Sequence, residues 1–439
     1  MSIQLITVML FVVFVMLLVS GLPLAWVMGA TSVIFALILF DTNVMIMMVV
    51  RIYALMLDYA LVAVPLFIFM GNILLRAEIA GSMFKAIYIW SGGLRGGLAI
   101  ASVVACALMA AMVGVVGAEI VTMGLISLPM MLEKKYDNKI ALGSICAGGG
   151  LATLIPPSVV FIIYGMLSSV SIGELYIAGI IPGLVLGGLF ILYILIKVWI
   201  NPDLAPPASE EERQLPLKTK IALARGLVMP FILIILVLGS IYFGVATPTE
   251  AASLGCVGAM ACAAVNKKLT LSMIKDSLWS TVLVTCMIIW LLFGSQTIIG
   301  IYTLAGGTEF VKNAMLALPF GKWGTLIVMQ LIWIILGCLI DWIGVLMLTL
   351  PLFLPVLQEL EVNLVWFGVV FCMNMHISYL SPPFAPSVFY LKGVTPNGIS
   401  VVDIYKSIFP YLWLTVIALV LIMVFPELSL WLPSKMVTK

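Results

Sequence analysis

The sequence predicts an all-α polytopic membrane protein built as two inverted repeats, and three observations predict it. Apolar runs of about 20 residues recur from end to end, each long enough to span a bilayer core of about 30 Å. Adjacent prolines interrupt two of those runs, at Pro156-Pro157 and Pro382-Pro383. Each half reads as five spans plus one two-armed unit, and an odd number of spans turns the second half over relative to the first.

Composition supports the first observation. Of 439 residues, 64% are hydrophobic and 9% charged, with a mean hydropathy of +1.27. A soluble chain carries about 25% charge. The net charge of +2 is small and its basic residues are scattered, which argues against a nucleic-acid partner. A single histidine excludes a multi-histidine metal site. The seven cysteines form no CxxC pair and read as packing residues. The run from Ile3 to Phe40 lacks a basic leading region and is too long for a cleavable signal peptide.

The elements follow in order. Ile3–Ser20 and Leu24–Phe40 are spans joined at Gly21-Leu22-Pro23. Asn43–Asp58 carries Arg51 and Asp58 and suits an interface; Ala60–Leu75 is the third span, and Ile79–Trp90 an interfacial connector. Residues 91–133 make two apolar arms that turn at Met112–Glu119, with Arg95 before them and Lys134, Lys135 and Lys139 after. Basic residues at both ends place both on the cytoplasmic side, and the glycines and Glu119 at the turn favour a re-entrant hairpin. Residues 140–169 form a helix broken between Gly148 and Ser158, and Ile177–Ile200 closes the first repeat, residues 1–200.

Residues 201–225 are polar and proline-rich and read as a cytoplasmic linker, with Glu210–Glu212, Arg213, Lys218 and Lys220. The second repeat, 226–439, has spans at Leu227–Val245, Ala251–Val265 and Leu278–Tyr302. A periplasmic-side hairpin at 323–357 turns near Gly337–Trp342; a broken helix at 364–391 and a last span at Phe409–Phe425 follow. The halves also match internally. Pro156-Pro157 and Tyr164 align with Pro382-Pro383 and Tyr390 at an offset of 226, and Glu119 and Pro129 with Asp341 and Pro351 at 222.

Proline removes a backbone donor and clashes with the preceding turn. Paired prolines, with Gly148-Gly149-Gly150 before the first, should therefore unwind each helix near mid-membrane and leave free carbonyls and half-helix ends. Such carbonyls and nearby hydroxyls can hold Na+, and half-helix N-termini favour anions. Thr153 and Ser158 in one copy, and Ser378, Ser381 and Ser387 in the other, lie in halves that also carry a hairpin tip at Gly114 or Gly337. This predicts two cation sites with an anionic substrate between them. Glu119 and Asp341 are membrane-depth carboxylates that could neutralise a cation, carry a proton or cap the second hairpin arm. His376 reads either as a proton-linked group or as a buried histidine bonded to backbone.

Several motifs then stand together: Gly-Leu-Pro-Leu-Ala at 21–25, Val-Pro-Leu-Phe-Ile-Phe-Met-Gly at 64–71, Leu-Ile-Pro-Pro-Ser at 154–158, Thr-Pro-Thr-Glu-Ala at 247–251 and Ser-Tyr-Leu-Ser-Pro-Pro at 378–383. With them the chain resembles, over nearly its whole length, the large membrane subunit of the TRAP (tripartite ATP-independent periplasmic) transporters, the DctM-like family. The resemblance implies an elevator mechanism in a bacterial inner membrane, with hairpins and broken helices as the mobile body and the other spans as scaffold. It implies Na+-coupled import of an organic acid anion, with Na+ as coupling ion, no other cofactor and no enzymatic reaction. It implies two partners, a small four-helix membrane subunit and a periplasmic substrate-binding protein.

Carried onto this chain, the resemblance places a first Na+ site at Gly114, Gly117, Gly149, Ala152, Thr153, Ile155 and Pro156. A second takes in Gly337, Asp341, Ser378, Ser381 and Phe384, and the substrate is expected near Glu119, Pro157, Ser158, His376, Pro382 and Pro383. The chain departs from the family at the first hairpin tip, where Val-Gly-Val-Val-Gly-Ala-Glu replaces a Ser-Gly-Ser pattern and removes its hydroxyls. The rival architecture is a one-component Na+/dicarboxylate carrier that needs no binding protein. An intramembrane enzyme lacks enough paired catalytic residues, and a channel fits two hairpins poorly.

Overall fold

Backbone in lipid must satisfy its own hydrogen bonds, so a chain this apolar has helices and closed barrels open to it. The computed structural model describes residues 1–114, 116–208, 212 and 216–436, and among them no β-strand occurs. Seven helices among these residues are long and apolar enough to cross a membrane, at Tyr59–Arg76, Ile172–Ile200, Leu217–Tyr242, Pro248–Val265, Leu271–Leu304, Trp342–Glu359 and Val401–Val424. Shorter apolar helices fill the intervals.

In the first half α1 (Ile3–Val19), α2 (Leu24–Leu39) and α3 (Val44–Met56) precede α4 (Ala63–Arg76) and α5 (Ile79–Ser91). Then α6 (Gly97–Val113) and α7 (Ala118–Glu133) form a hairpin, α8 (Asn138–Gly150) and α9 (Val159–Ser168) a broken helix, and α10 (Ile172–Ile200) ends the half. The second half runs α11 (Leu217–Ile234), α12 (Pro248–Val265), α13 (Leu271–Leu304) and α14 (Gly307–Leu316). A hairpin of α15 (Gly321–Gly337) and α16 (Trp342–Glu359) follows, then a broken helix of α17 (Leu364–Leu380) and α18 (Pro386–Lys392), and α19 (Val401–Val424).

Local chemistry explains several boundaries. The Thr-Pro-Thr-Glu motif is a capping box with proline at the first helical position: Glu250 N donates to Thr247 Oγ1 (3.3 Å) and Thr247 N to Glu250 Oε2 (2.8 Å). Glu174 and Asp403 occupy matched first turns, where their N–H groups donate to Ser171 Oγ (3.3 Å) and Ser400 Oγ (3.2 Å).

Two zones of packing stand out within one contiguous core. α2 lies on α13, and α4 on α12 and α13. Gly294 lets α13 approach so closely that a Cβ there would meet the Ala25 carbonyl at 2.8 Å. Asn72 Nδ2 donates to Thr281 Oγ1 (3.2 Å) across the same layer. Around α8 gather α6, α7 and α19, while α17 packs on α15 and α19. Trp333 ties the second hairpin together. Its Nε1 donates to Thr349 Oγ1 (2.7 Å), and its ring meets Phe353, Phe367 and Phe371 with centroids 4.8–5.7 Å apart.

Three expectations need correction. Gly148-Gly149-Gly150 does not unwind: the three residues end α8 as regular helix, and the break begins at Leu151. They are glycines because neighbours press on each of them, Cys106 on the first, Ile120 on the second and the His376 ring on the third. The linker is shorter than residues 201–225, because α11 already starts at Leu217. Its first part is docked rather than free: Gly96 N donates to Ala205 O (3.0 Å), Ala208 N to Gly92 O (2.9 Å) and Asp137 N to Leu204 O (2.7 Å). Glu210, Glu211, Arg213 and Val115 lie outside the described residues. Finally, α13 is longer than Leu278–Tyr302, since its polar start at Leu271 is capped by Thr270.

Candidate substrate and cation site

The first hairpin turns at Gly114, whose φ of +67° suits glycine and whose missing side chain admits the Pro157 carbonyl. Val159 N, at the start of α9, donates to Gly114 O (3.4 Å), so the hairpin tip meets the broken helix directly. Between α8 and α9 the chain from Leu151 to Ser158 is buried and contains the cis Pro156-Pro157 bond. Thr153 Oγ1 donates to Gly150 O (3.0 Å) and Ser158 Oγ to Thr153 O (3.1 Å). The carbonyls of Ala152, Ile155 and Pro156 accept no hydrogen bond from any described residue, which leaves hard oxygens at the break. Gly114, Ala152, Thr153, Ile155 and Pro156 thus share one stretch of structure. Gly149 is a helical residue of α8 facing Ile120, and Gly117 lies under the Tyr390 ring.

At the second hairpin α15 ends at Gly337, directly under the Ser378 side chain, and no Cβ could fit between them. Ser378 Oγ donates to Asn374 O (3.3 Å). Asp341 caps α16, accepting from Ile343 N (3.3 Å), and the Tyr379 hydroxyl faces its carboxylate. Ser381 N donates to Ser378 O (3.2 Å), and Ala385 N to Ser381 O (3.1 Å), before and after the cis Pro382-Pro383 bond. Ser378 and Ser381 are buried; Phe384 is exposed, its ring 6.4 Å from that of Phe389. Among the described residues no three His, Cys, Asp or Glu side chains gather; the oxygens near this tip are carbonyls, hydroxyls and the Asp341 carboxylate.

A cavity of about 510 Å³ lies between these elements and the α2–α13 layer. That volume falls in the ~300–1,000 Å³ range of small-molecule sites. Gly114 and Val116 from the first hairpin, Val159 and Val160 from α9, Asp341–Ile343 from the second hairpin, and Tyr379 and Tyr390 line one side. Pro23–Trp26 of α2 and residues Val284 to Leu291 of α13 line the other.

Of the residues expected near substrate, none lines this cavity: Glu119, Pro157, Ser158 and His376 are buried away from it, and Pro382 and Pro383 are exposed outside it. His376 is fully buried, stacks on Phe190 with centroids 5.8 Å apart, and neither ring nitrogen has a described partner, so the expected backbone bond is not formed. Glu119 is the one buried Asp, Glu, Lys or Arg among the described residues. Neither of its oxygens has a partner beyond its own backbone, so it caps nothing else in α7, whereas Asp341 does cap α16. Sequence reasoning missed the scaffold wall, Trp26 and Trp290, and the tyrosines Tyr379 and Tyr390. The available signals were the offset pairing of Tyr390 with Tyr164 and the place of Tyr379 in the Ser-Tyr-Leu-Ser-Pro-Pro motif.

The comparisons fit this architecture. The profile described as the DctM component of the tripartite ATP-independent periplasmic transporter matches residues 11–428. The C4-dicarboxylate TRAP transporter large permease protein DctM of Pseudomonas aeruginosa is 27% identical, with 91% of this chain and 92% of that protein covered. The ectoine/5-hydroxyectoine TRAP transporter large permease protein UehC of Ruegeria pomeroyi is 30% identical, with 96% and 97% covered. Among solved structures, the Alcanivorax borkumensis YdaH transporter shares the fold at a TM-score of 0.59 and 14% identity, over 95% of this chain and 98% of that one. The chain is therefore a multi-pass protein of the bacterial inner membrane and belongs to the DctM family, the large permease component of the TRAP transporters.

Proposed function

We propose that this permease carries an organic acid anion inward with Na+, by an elevator movement of one body against another. The observation that carries the reading is the cavity, walled on one side by both hairpins and the broken helices and on the other by α2 and α13. In this reading α6–α9 and α15–α18 move together, while α1–α5 and α11–α14 stay as scaffold. The halves are inverted repeats, which gives each a hairpin on its own face of the membrane. Na+ binds at the two breaks, at Gly114 with Ala152–Pro156 and at Gly337 with Asp341, Ser378 and Ser381. A periplasmic protein delivers the substrate and a small four-helix subunit widens the scaffold. The protein is a carrier and not an enzyme.

Proteoliposomes containing the chain with both partners test this with a panel of labelled carboxylates. Uptake should follow an inward Na+ gradient, require the periplasmic protein and ignore ATP. The double variant Thr153→Ala/Ser381→Ala should raise the Na+ concentration for half-maximal uptake severalfold. Unchanged Na+ dependence in a folded double variant would remove the side-chain part of the assignment. Equal uptake by the chain alone would favour a one-component carrier.

A further inference from the structure

The two halves hold a tyrosine at the same repeat position and use it differently. Tyr164 is buried, its hydroxyl donates to Leu364 O (2.8 Å) and its ring stacks on Phe371. Tyr390 is 41% exposed and lines the cavity, and its hydroxyl makes no hydrogen bond with any described residue. Its ring rests on the first hairpin tip. A Cβ at Gly117 would come within 2.8 Å of the ring, so that glycine is what allows the ring to sit there. The same cavity is lined by no lysine, arginine or histidine. Its one charged residue is Asp341, faced by Tyr379, and Trp26, Trp290 and Trp342 dominate the rest of its wall together with aliphatic side chains.

We propose that Tyr390 takes the substrate's carboxylate, as a hydrogen-bond donor seated on Gly117, and that the tryptophan-lined remainder of the cavity takes an apolar body. The assignment rests on the transport reading above and deepens it. An anion in this cavity meets no side-chain cation, so the direct side-chain bond to it falls to a neutral donor, and a phenol bonded to a carboxylate is a charge-assisted pair. Asp341 lies within electrostatic reach of Tyr390, so a carboxylate sits there with Na+ held at Asp341, while the tryptophan-lined remainder offers a second carboxylate no cation. Gly117 then serves as the seat of a substrate-binding ring, and Na+ has no need of it.

Intrinsic tryptophan fluorescence of the full chain in nanodiscs, in saturating NaCl, reads binding of three probes: hexanoate, its neutral isostere hexanamide, and succinate. Hexanoate should bind at least about tenfold more tightly than either of the others. Tyr390→Phe should weaken hexanoate by about tenfold, the scale of one hydrogen bond to a charged group, and weaken hexanamide, a neutral acceptor, by clearly less. Gly117→Ala should weaken hexanoate too, with the Na+ dependence of binding unmoved. Hexanoate affinity unchanged in Tyr390→Phe, equal losses for hexanoate and hexanamide, tighter succinate, or a shifted Na+ dependence in Gly117→Ala would each overturn the assignment. Na+-driven uptake by the wild-type complex, measured in parallel, separates the two levels. Uptake intact with Tyr390→Phe equal to wild type sinks this assignment alone; no uptake of any carboxylate sinks the transport reading with it.

Discussion

The two hairpin and broken-helix units share an element order but differ in where their polar groups point. In the second unit Asp341 is bonded to the start of its own arm and lines the cavity. Its counterpart Glu119 is buried behind the tip with no partner beyond its own backbone. Tyr390 faces the cavity, while Tyr164 closes a bond to Leu364 within the packed body. The hairpin arms also join differently, by a Ser102–Ser127 hydroxyl pair in the first and by the Trp333 cluster in the second. The lesson is that a repeated backbone plan leaves each copy free to specialise. The first supplies bare carbonyls at its break and apolar side chains to the cavity; the second supplies the cavity's carboxylate and its two tyrosines.

The largest expected effect comes from the tight contact at the second tip. Gly337→Val forces Ser378 from its place, and uptake should fall to background while the protein remains in the membrane fraction. Overpacking of this kind costs about 1–3 kcal/mol. Normal uptake by Gly337→Val would show that the Ser378 contact is dispensable.

The carboxylates sharpen the comparison through opposite signs. Glu119→Met removes a buried group without a partner beyond its own residue, so stability should rise by about 1–3 kcal/mol. Asp341→Ala removes a helix cap and should lower stability by about 1 kcal/mol. Thermal unfolding of both variants checks this, and changes of the same sign would erase the distinction between the units. The smallest effect lies at the strap between the halves, where Lys134 pairs with Glu212 and the Tyr88 hydroxyl donates to the same carboxylate (3.0 Å). That pair is partly exposed, so Lys134→Ala should cost under about 1 kcal/mol and lose its effect in high salt.

Much of this was legible in the sequence for a physical reason. The proline pairs and the tip glycines Gly114 and Gly337 are backbone punctuation, and few other residues can stand at those positions. The carboxylates were legible because charge at membrane depth is rare. The cavity wall was not. Trp26, Trp290 and Val284 look like any lipid-facing residues until α2 and α13 are brought together through Gly294. The run Gly148–Gly150 misled because glycine signals both a break and a close contact, and here three neighbours supply the contact. Nor could the sequence show that Tyr164 is satisfied and Tyr390 is not, since that depends on which carbonyl lies within reach.

The central claim, that one body moves against another around this cavity, has a direct test. Lys139 at the base of α8 and Lys267 at the end of α12 are exposed and lie outside the site. Spin labels at these two positions, in the complex in nanodiscs, report the distance between the bodies by pulsed electron resonance. The account predicts two distance populations whose ratio shifts with Na+ and with substrate; a single distance, unmoved by either, would contradict it.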